Sequence, residues 1–316
     1  MQSALFIGVD VAKDNVVVAC SQATFAARTV PNKPTALKAF LRTLPAQSSI
    51  AMEATGSYHQ SLADLAHQLG LRVYVLNPRD LHHYARGVGM RAKTDRVDAA
   101  LIARFLSNEA ARLRPYQPAT AEQRQVDQLL RRRAKIVSLR TALQLACAEA
   151  LSIRTETASL LKGFAALLKK IDRQLATLQQ AMPERAQQLE RLQSIPGVGP
   201  LTACWLANLF ERIKFRNSDA LVAFAGMDPR PCDSGQKRGK RRLSKRGPAE
   251  GRRLLFNAAM AAARCAVWKE TYTRCRQQGW ASTQAIMILA RKILRIALAV
   301  HKTQTSFDPE FIGKRA

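Results

Sequence analysis

Two carboxylates, Asp95 and Asp98, stand three residues apart in Lys93-Thr-Asp-Arg-Val-Asp98, at the start of an amphipathic run that continues to Leu106. Residues three apart share a helix face, so the spacing aims both side chains at one point. Such a pair can hold a hard cation such as Mg²⁺, which takes oxygen ligands and keeps several waters. The bland alternative is a solvated first turn, where acids are favoured by the helix dipole. Two further acids, Asp10 and Glu53, each fall near the end of an apolar strand-length run. Taken singly, each also fits a strand-end acid facing solvent. In the C-terminal half, Ser244 lies among Lys237, Arg238, Lys240, Arg241, Arg242, Lys245 and Arg246. An alcohol surrounded by cations is suited to attack on phosphorus, because the cations stabilise the charge of the transition state. A serine that merely contacts a phosphate fits the same residues.

The elements that must position these groups follow from periodicity. Leu5–Val11, Asn15–Cys20 and Thr24–Val30 are short and rich in β-branched residues, which predicts three strands in an antiparallel meander. Pro34–Leu44 has helical spacing, Ser49–Ala54 reads as a buried strand, Gln60–Leu69 as a helix stopped by Gly70, and Arg72–Pro78 as a strand ended by proline. A polar segment precedes the helix carrying Asp95 and Asp98. The order β-β-β-α-β-α-β-α places Asp10 and Glu53 side by side if the first and fourth strands are neighbours. The last helix could then lay its two aspartates over them. Four carboxylates so gathered repel one another, and divalent cations would relieve that and create a phosphoryl-transfer site.

Composition bounds the partner. The 316 residues carry 50 Lys+Arg against 23 Asp+Glu, a formal net charge of +27, which points to a polyanion, most simply nucleic acid. Residues 191–316 hold 24 of the basic and 8 of the acidic residues, so the positive charge is concentrated there. No apolar stretch reaches about 18 residues, so a membrane-spanning helix and a membrane partner are not expected. The N-terminus lacks the basic region of a signal peptide, and the six cysteines form no CxxC pair. Both features predict a cytoplasmic protein with reduced thiols.

The set Gly8-Val-Asp10, Glu53-Ala-Thr-Gly-Ser-Tyr58, Asn77-Pro78 and Lys93–Ala99 resembles the RuvC-like, RNase H-fold domain of the DEDD insertion-sequence transposases. This is the IS110 family, which includes the Piv site-specific DNA invertase. The motifs are weak singly, and their order and spacing carry the resemblance. It implies that Asp10, Glu53, Asp95 and Asp98 form a Mg²⁺-binding tetrad. It also implies that Ser244, in a Ser-Lys-x-Gly segment following Pro229-Arg230 and Ser234-Gly235, forms a covalent phosphoserine link to DNA. Ser234 is the rival candidate, read here as a residue that shapes the turn. Double-stranded DNA, both element ends and target, is the implied substrate. A structured bridge RNA is an implied guide, and a homodimer or homotetramer the implied assembly, with the acids and the serine drawn from different domains and even different subunits. The resemblance also implies action at the bacterial nucleoid. A metal-dependent nuclease of junction-resolvase type, a DNA invertase and a non-enzymatic nucleic-acid binder are the competing readings.

Three regions are therefore expected: an α/β RNase H-like domain over 1–115, a helical hairpin or coiled-coil linker over 116–190, and a mostly helical DNA-binding domain over 191–316. In the linker, apolar residues recur at roughly heptad spacing from Val126 to Leu143 and from Leu160 to Leu178. Arg131, Arg132 and Arg133 are candidate phosphate contacts there, with a solvated basic face as the alternative. Leu192–Ala203 resembles the hairpin of a helix-hairpin-helix module, in which backbone N–H groups near Gly197 and Gly199 would meet a phosphate. A plain turn between helices fits the same residues.

Overall fold

The computed structural model describes residues 5–22, 25–54, 56–90, 94–180, 183–231, 233–235, 239 and 241–309. Contacts divide the chain into two compact units, Met1–Pro118 and Ala119–Ala316.

The first unit is built on a five-stranded mixed sheet. Its elements run β1 (Phe6–Val11), β2 (Asn15–Cys20), β3 (Arg28–Pro31), α1 (Pro34–Leu41), β4 (Ser49–Glu53), α2 (His59–Gln68), β5 (Arg72–Leu76), α3 (Pro78–Gly87) and α4 (Asp95–Glu109). The strand order is β3-β2-β1-β4-β5. β1–β2 and β2–β3 are antiparallel, as a meander requires, while β1–β4 and β4–β5 are parallel. A mixed sheet in this order agrees with the RNase H-like expectation, and the first and fourth strands are neighbours. Alternation sorts the side chains. Ile7, Val9 and Val11 of β1, with Ile50 and Met52 of β4, enter one core with Leu37 and Phe40 of α1 and Leu62 of α2. Ala51 faces the other way, into a cluster with Leu81, Ile102 and Leu106 from α3 and α4.

The polar segment after β5 contains a helix, α3, which the sequence reading passed over. Pro78 was read as the stop of a strand; it is instead the first residue of a helix. There its missing N–H costs nothing and its fixed φ is already helical. Asn77 caps the helix, its side chain accepting from the Arg79 amide at 3.0 Å.

The second unit is helical apart from one ribbon. It comprises α5 (Ala121–Ala146), α6 (Arg154–Gln180), α7 (Pro183–Gln193), α8 (Pro200–Arg212), α9 (Ser218–Phe224), the paired strands β6 (Pro229–Arg230) and β7 (Arg242–Leu243), α10 (Ala249–Ala262), α11 (Ala266–Gln277) and α12 (Ser282–Thr303). The first long helix ends at Ala146. α5 and α6 pack against each other, and the base of the pair is part of a larger core. Val126, Leu129 and Leu130 of α5 and Ile171 and Leu175 of α6 share one core with Leu206, Leu255 and Leu294 of the following helices. No helix among the described residues is long and apolar enough to cross a membrane.

Candidate functional site

Two places gather the chemistry, one in each unit. In the first unit, the parallel register Val9↔Met52 carried on by one residue sets Asp10 beside Glu53. Both side chains fall on the face opposite Ile7, Val9, Ile50 and Met52, and α4 covers that face. Gly8, two residues before Asp10, shows how closely. A Cβ on Gly8 would lie 2.2 Å from the Ala99 carbonyl oxygen and 2.2 Å from the Ala103 nitrogen. The strand and the helix thus touch backbone to backbone, one residue after Asp98 and two residues before Asp10. Thr94 caps α4, accepting from the Val97 amide at 3.3 Å, so the helix begins at Asp95 and both aspartates stand in its first turn. Asp95 is exposed, and Asp98, Asp10 and Glu53 are half-buried. Among the described residues, no three His, Cys, Asp or Glu side chains stand close enough together to hold one metal ion. The structure therefore brings Asp10 and Glu53 abreast and sets α4 on their side of the sheet, without closing the four carboxylates into one cluster. The donor set, all carboxylate oxygen, suits a hard divalent cation.

In the second unit, Ser244 sits at the foot of the β6–β7 ribbon. Its hydroxyl donates to Asp228 Oδ1 in a short hydrogen bond, and its amide donates to the Asp228 carbonyl at 3.0 Å. The side chain is 6% exposed. The turn after it is tightly built. Lys245 is left-handed at φ 53°, a conformation that costs a non-glycine residue roughly 1 kcal/mol or more. A Cβ on Gly247 would lie 1.9 Å from the Phe224 carbonyl oxygen. Arg252 of α10 donates to the Gly247 and Ala225 carbonyls at 2.6 and 3.2 Å, tying the two chain segments together. Asp228 was not singled out by the sequence reading. It lies 16 residues before Ser244, and only the pairing of Pro229 with Leu243 makes the two neighbours.

A family model described as a transposase, of the DEDD IS110 type, matches residues 7–154. A second, described as the transposase IS116/IS110/IS902 family, matches residues 189–274. The chain is 30% identical over 269 residues to the pilin gene-inverting protein of Moraxella bovis, covering 82% of this chain and 81% of that protein. The chain belongs to the IS110 transposase family. It is also 30% identical over 224 residues to the transposase for insertion sequence element IS1111A of Coxiella burnetii, spanning 61% of this chain and 60% of that one. To the transposase for IS1328 of Yersinia enterocolitica it is 26% identical over 345 residues, 98% of this chain and 100% of the relative. Membership of this transposase family makes the chain an enzyme that acts on DNA, and its DEDD domain implies dependence on a divalent cation.

The structure sorts the transposase's expected nucleic-acid contacts. Arg133 faces inward: it holds Asp172 of α6 through Nε at 2.6 Å and Nη2 at 3.1 Å, an ion pair between the hairpin helices. The sequence could not separate it from Arg131 and Arg132, which are exposed. Arg133→Ala is expected to lower stability by less than about 1 kcal/mol, since the pair is partly solvated, and to leave the salt dependence of DNA binding unchanged. Denaturant titration and binding isotherms check this. Gly197 also faces inward. At φ +95°, a Cβ there would lie 2.5 Å from the Ala258 carbonyl oxygen and 2.7 Å from the Ala262 Cβ, so the turn is packed on α10. Gly199 is exposed at the start of α8. Arg241 donates to both carboxylate oxygens of Asp233 at 2.7 Å. That guanidinium, with the Gly239 amide, holds the Asp233 carboxyl below the usual carboxylate range. The brace is therefore intact at neutral pH and opens only as acidification passes that lowered value. Arg242, Lys245 and Arg246 are exposed, whereas Lys237, Arg238 and Lys240 lie outside the described residues.

Proposed function

We propose that the chain is a DNA recombinase that cuts and rejoins strands with Mg²⁺ held by Asp10, Glu53, Asp95 and Asp98. The observation that carries this reading is the β1–β4 register, which sets Asp10 beside Glu53 on the sheet face covered by α4. Bound Mg²⁺ would neutralise charge developing on a scissile phosphate. The serine step belongs to the second unit. The Ser244 oxygen attacks phosphorus, a Ser244–phosphate bond forms, and the bond from phosphorus to the departing strand breaks. The serine proton passes to Asp228, already its hydrogen-bond partner, and the departing oxygen takes a proton from solvent. Rejoining reverses these transfers when another strand's hydroxyl attacks the phosphoserine. A bridge RNA as guide is consistent with the charge of +27, which suits a polyanionic partner. Pairing of copies in a dimer or tetramer is supported by the apolar hairpin tip, where Leu145 and Leu151 are 74% and 78% exposed. Similarity to a gene-inverting protein supports DNA inversion as an alternative outcome of the same chemistry.

A second reading assigns the attack to Ser234. Ser244 is 6% exposed, whereas Ser234 stands open to solvent beside the Asp233–Arg241 brace. Suicide DNA carrying a nick beside the cleavage point, incubated with Mg²⁺, separates the two. Ser244→Ala is expected to abolish the protein–DNA adduct while Ser234→Ala keeps it. The reverse pattern assigns the nucleophile to Ser234. An adduct that survives both changes assigns the attack to another side chain, and strand cleavage with no adduct in the unaltered protein supports a nuclease that attacks with water.

A further inference from the structure

We propose that the groove between α5 and α6 is a docking site for the sugar–phosphate backbone of duplex DNA, with Arg140, Lys169 and Arg173 as its phosphate contacts. The groove has a volume of about 480 Å³, and its walls carry four cations, Arg133, Arg140, Lys169 and Arg173. Asp172 is the one carboxylate among its lining residues. That carboxylate is already engaged, since Arg133 donates to its two oxygens at 2.6 and 3.1 Å. An anion entering the groove therefore meets an excess of positive charge. Arg140 adds an independent sign. Its Nε is buried and meets no hydrogen-bond acceptor among the described residues. A buried donor on a charged group is costly to leave unmet, because water no longer solvates it and no protein oxygen takes the water's place. An oxygen brought by a ligand would fill that position.

Small side chains keep the groove open. On the α6 side it is lined by Ala165 and Ala176, both exposed, with Leu168 buried between them. Lys169 and Arg173 stand one turn apart on that face, both exposed. From Ala165 to Ala176 the helix rises about 16 Å. One strand of B-DNA carries a phosphate about every 3.4 Å of axis, so a backbone crossing here offers an oxygen to each of the three cations. A guanidinium suits that role because its forked N–H groups can meet two phosphate oxygens at once. DNA is the occupant these features favour, because the transposase family to which the chain belongs acts on DNA. Arg131 and Arg132 do not line the groove, and the pairing of Arg133 with Asp172 removes it from the contacts. Binding here needs neither the carboxylates of the first unit nor the Ser244 hydroxyl.

The test is a binding isotherm of the full-length protein with a labelled mixed-sequence duplex, repeated across a salt series without divalent cation. Lys169→Gln/Arg173→Gln is expected to flatten the plot of log K against log salt by about 2 units, at roughly 0.9 per lost phosphate contact. Adding Arg140→Gln should flatten it by about 1 unit more. Lys135→Gln/Lys170→Gln removes two exposed charges from the same helices outside the groove and should leave the slope unchanged. Lys169→Arg/Arg173→Lys keeps both charges and should keep the slope. Far-ultraviolet circular dichroism checks that each protein retains its helices. Lys169 and Arg173 are exposed, so their pair decides the question even if the Arg140 variant does not fold. An unchanged slope for Lys169→Gln/Arg173→Gln overturns the proposal. Equal flattening by the Lys135/Lys170 pair also overturns it, since net charge and not the groove would then set the slope. So does a slope lost on structured RNA and kept on duplex DNA, which would make the groove an RNA site.

Discussion

Asp10→Ala is expected to lower strand cleavage by about 10³-fold, equivalent to about 4 kcal/mol of barrier, while leaving the protein folded and bound to DNA. The reasoning starts from register. Asp10 and Glu53 are neighbours on adjacent parallel strands, and like charges so placed oppose each other's ionisation. Removing one of two acids held abreast relieves their repulsion, which offsets the loss of the contacts Asp10 makes, so the protein should stay folded. A cation bound there gains both oxygens, so removing one should weaken metal-dependent chemistry most. Loss of cleavage in a protein that stays folded is the signature of a ligand rather than a structural acid. Full cleavage by Asp10→Ala, measured on labelled substrate with Mg²⁺, would remove the tetrad reading.

The second large effect concerns Gly8. A methyl group there would meet the backbone of Ala99 and Ala103 at 2.2 Å, and backbone atoms cannot rotate aside. Either α4 lifts from the sheet or β1 bends. Overpacking of this kind costs about 3 kcal/mol, at the upper end of the usual range. Gly8→Ala should therefore lower the melting temperature of the first unit by about 10 °C. It should also impair cleavage, because Asp95 and Asp98 ride on the displaced helix. Gly87, at the end of α3, has open space where its Cβ would go. Gly87→Ala should be neutral or stabilising by up to about 1 kcal/mol, since alanine is the better helix former. Equal effects of the two changes in a melting experiment would show that α4 does not depend on the close approach.

Sequence reading located the elements that carry the acids, with Asp10 and Glu53 near strand ends and Asp95 and Asp98 in the first turn of a helix, because period and length report where apolar runs begin and end. Arg133 and Gly197 were not legible in their roles. Nothing local distinguishes an arginine that grips Asp172 from an exposed neighbour, or a glycine pressed on Ala258 from one facing a ligand. α3 was missed because Pro78 ends one kind of element and begins another, and the choice is made by Asn77 and by the apolar contact of Leu81.

By itself the sequence determined the meander, the amphipathic helices, the excess of positive charge and the order of the acidic motifs, because short-range periodicity and composition are properties of neighbouring residues. The tertiary structure alone decided that β1 pairs with β4 and brings Asp10 beside Glu53 across 43 residues of chain, and that the β6–β7 ribbon sets Asp228 against the Ser244 hydroxyl. It also decided which arginines face inward. Those facts depend on which distant surfaces bury one another, and strand register and side-chain direction follow from that burial.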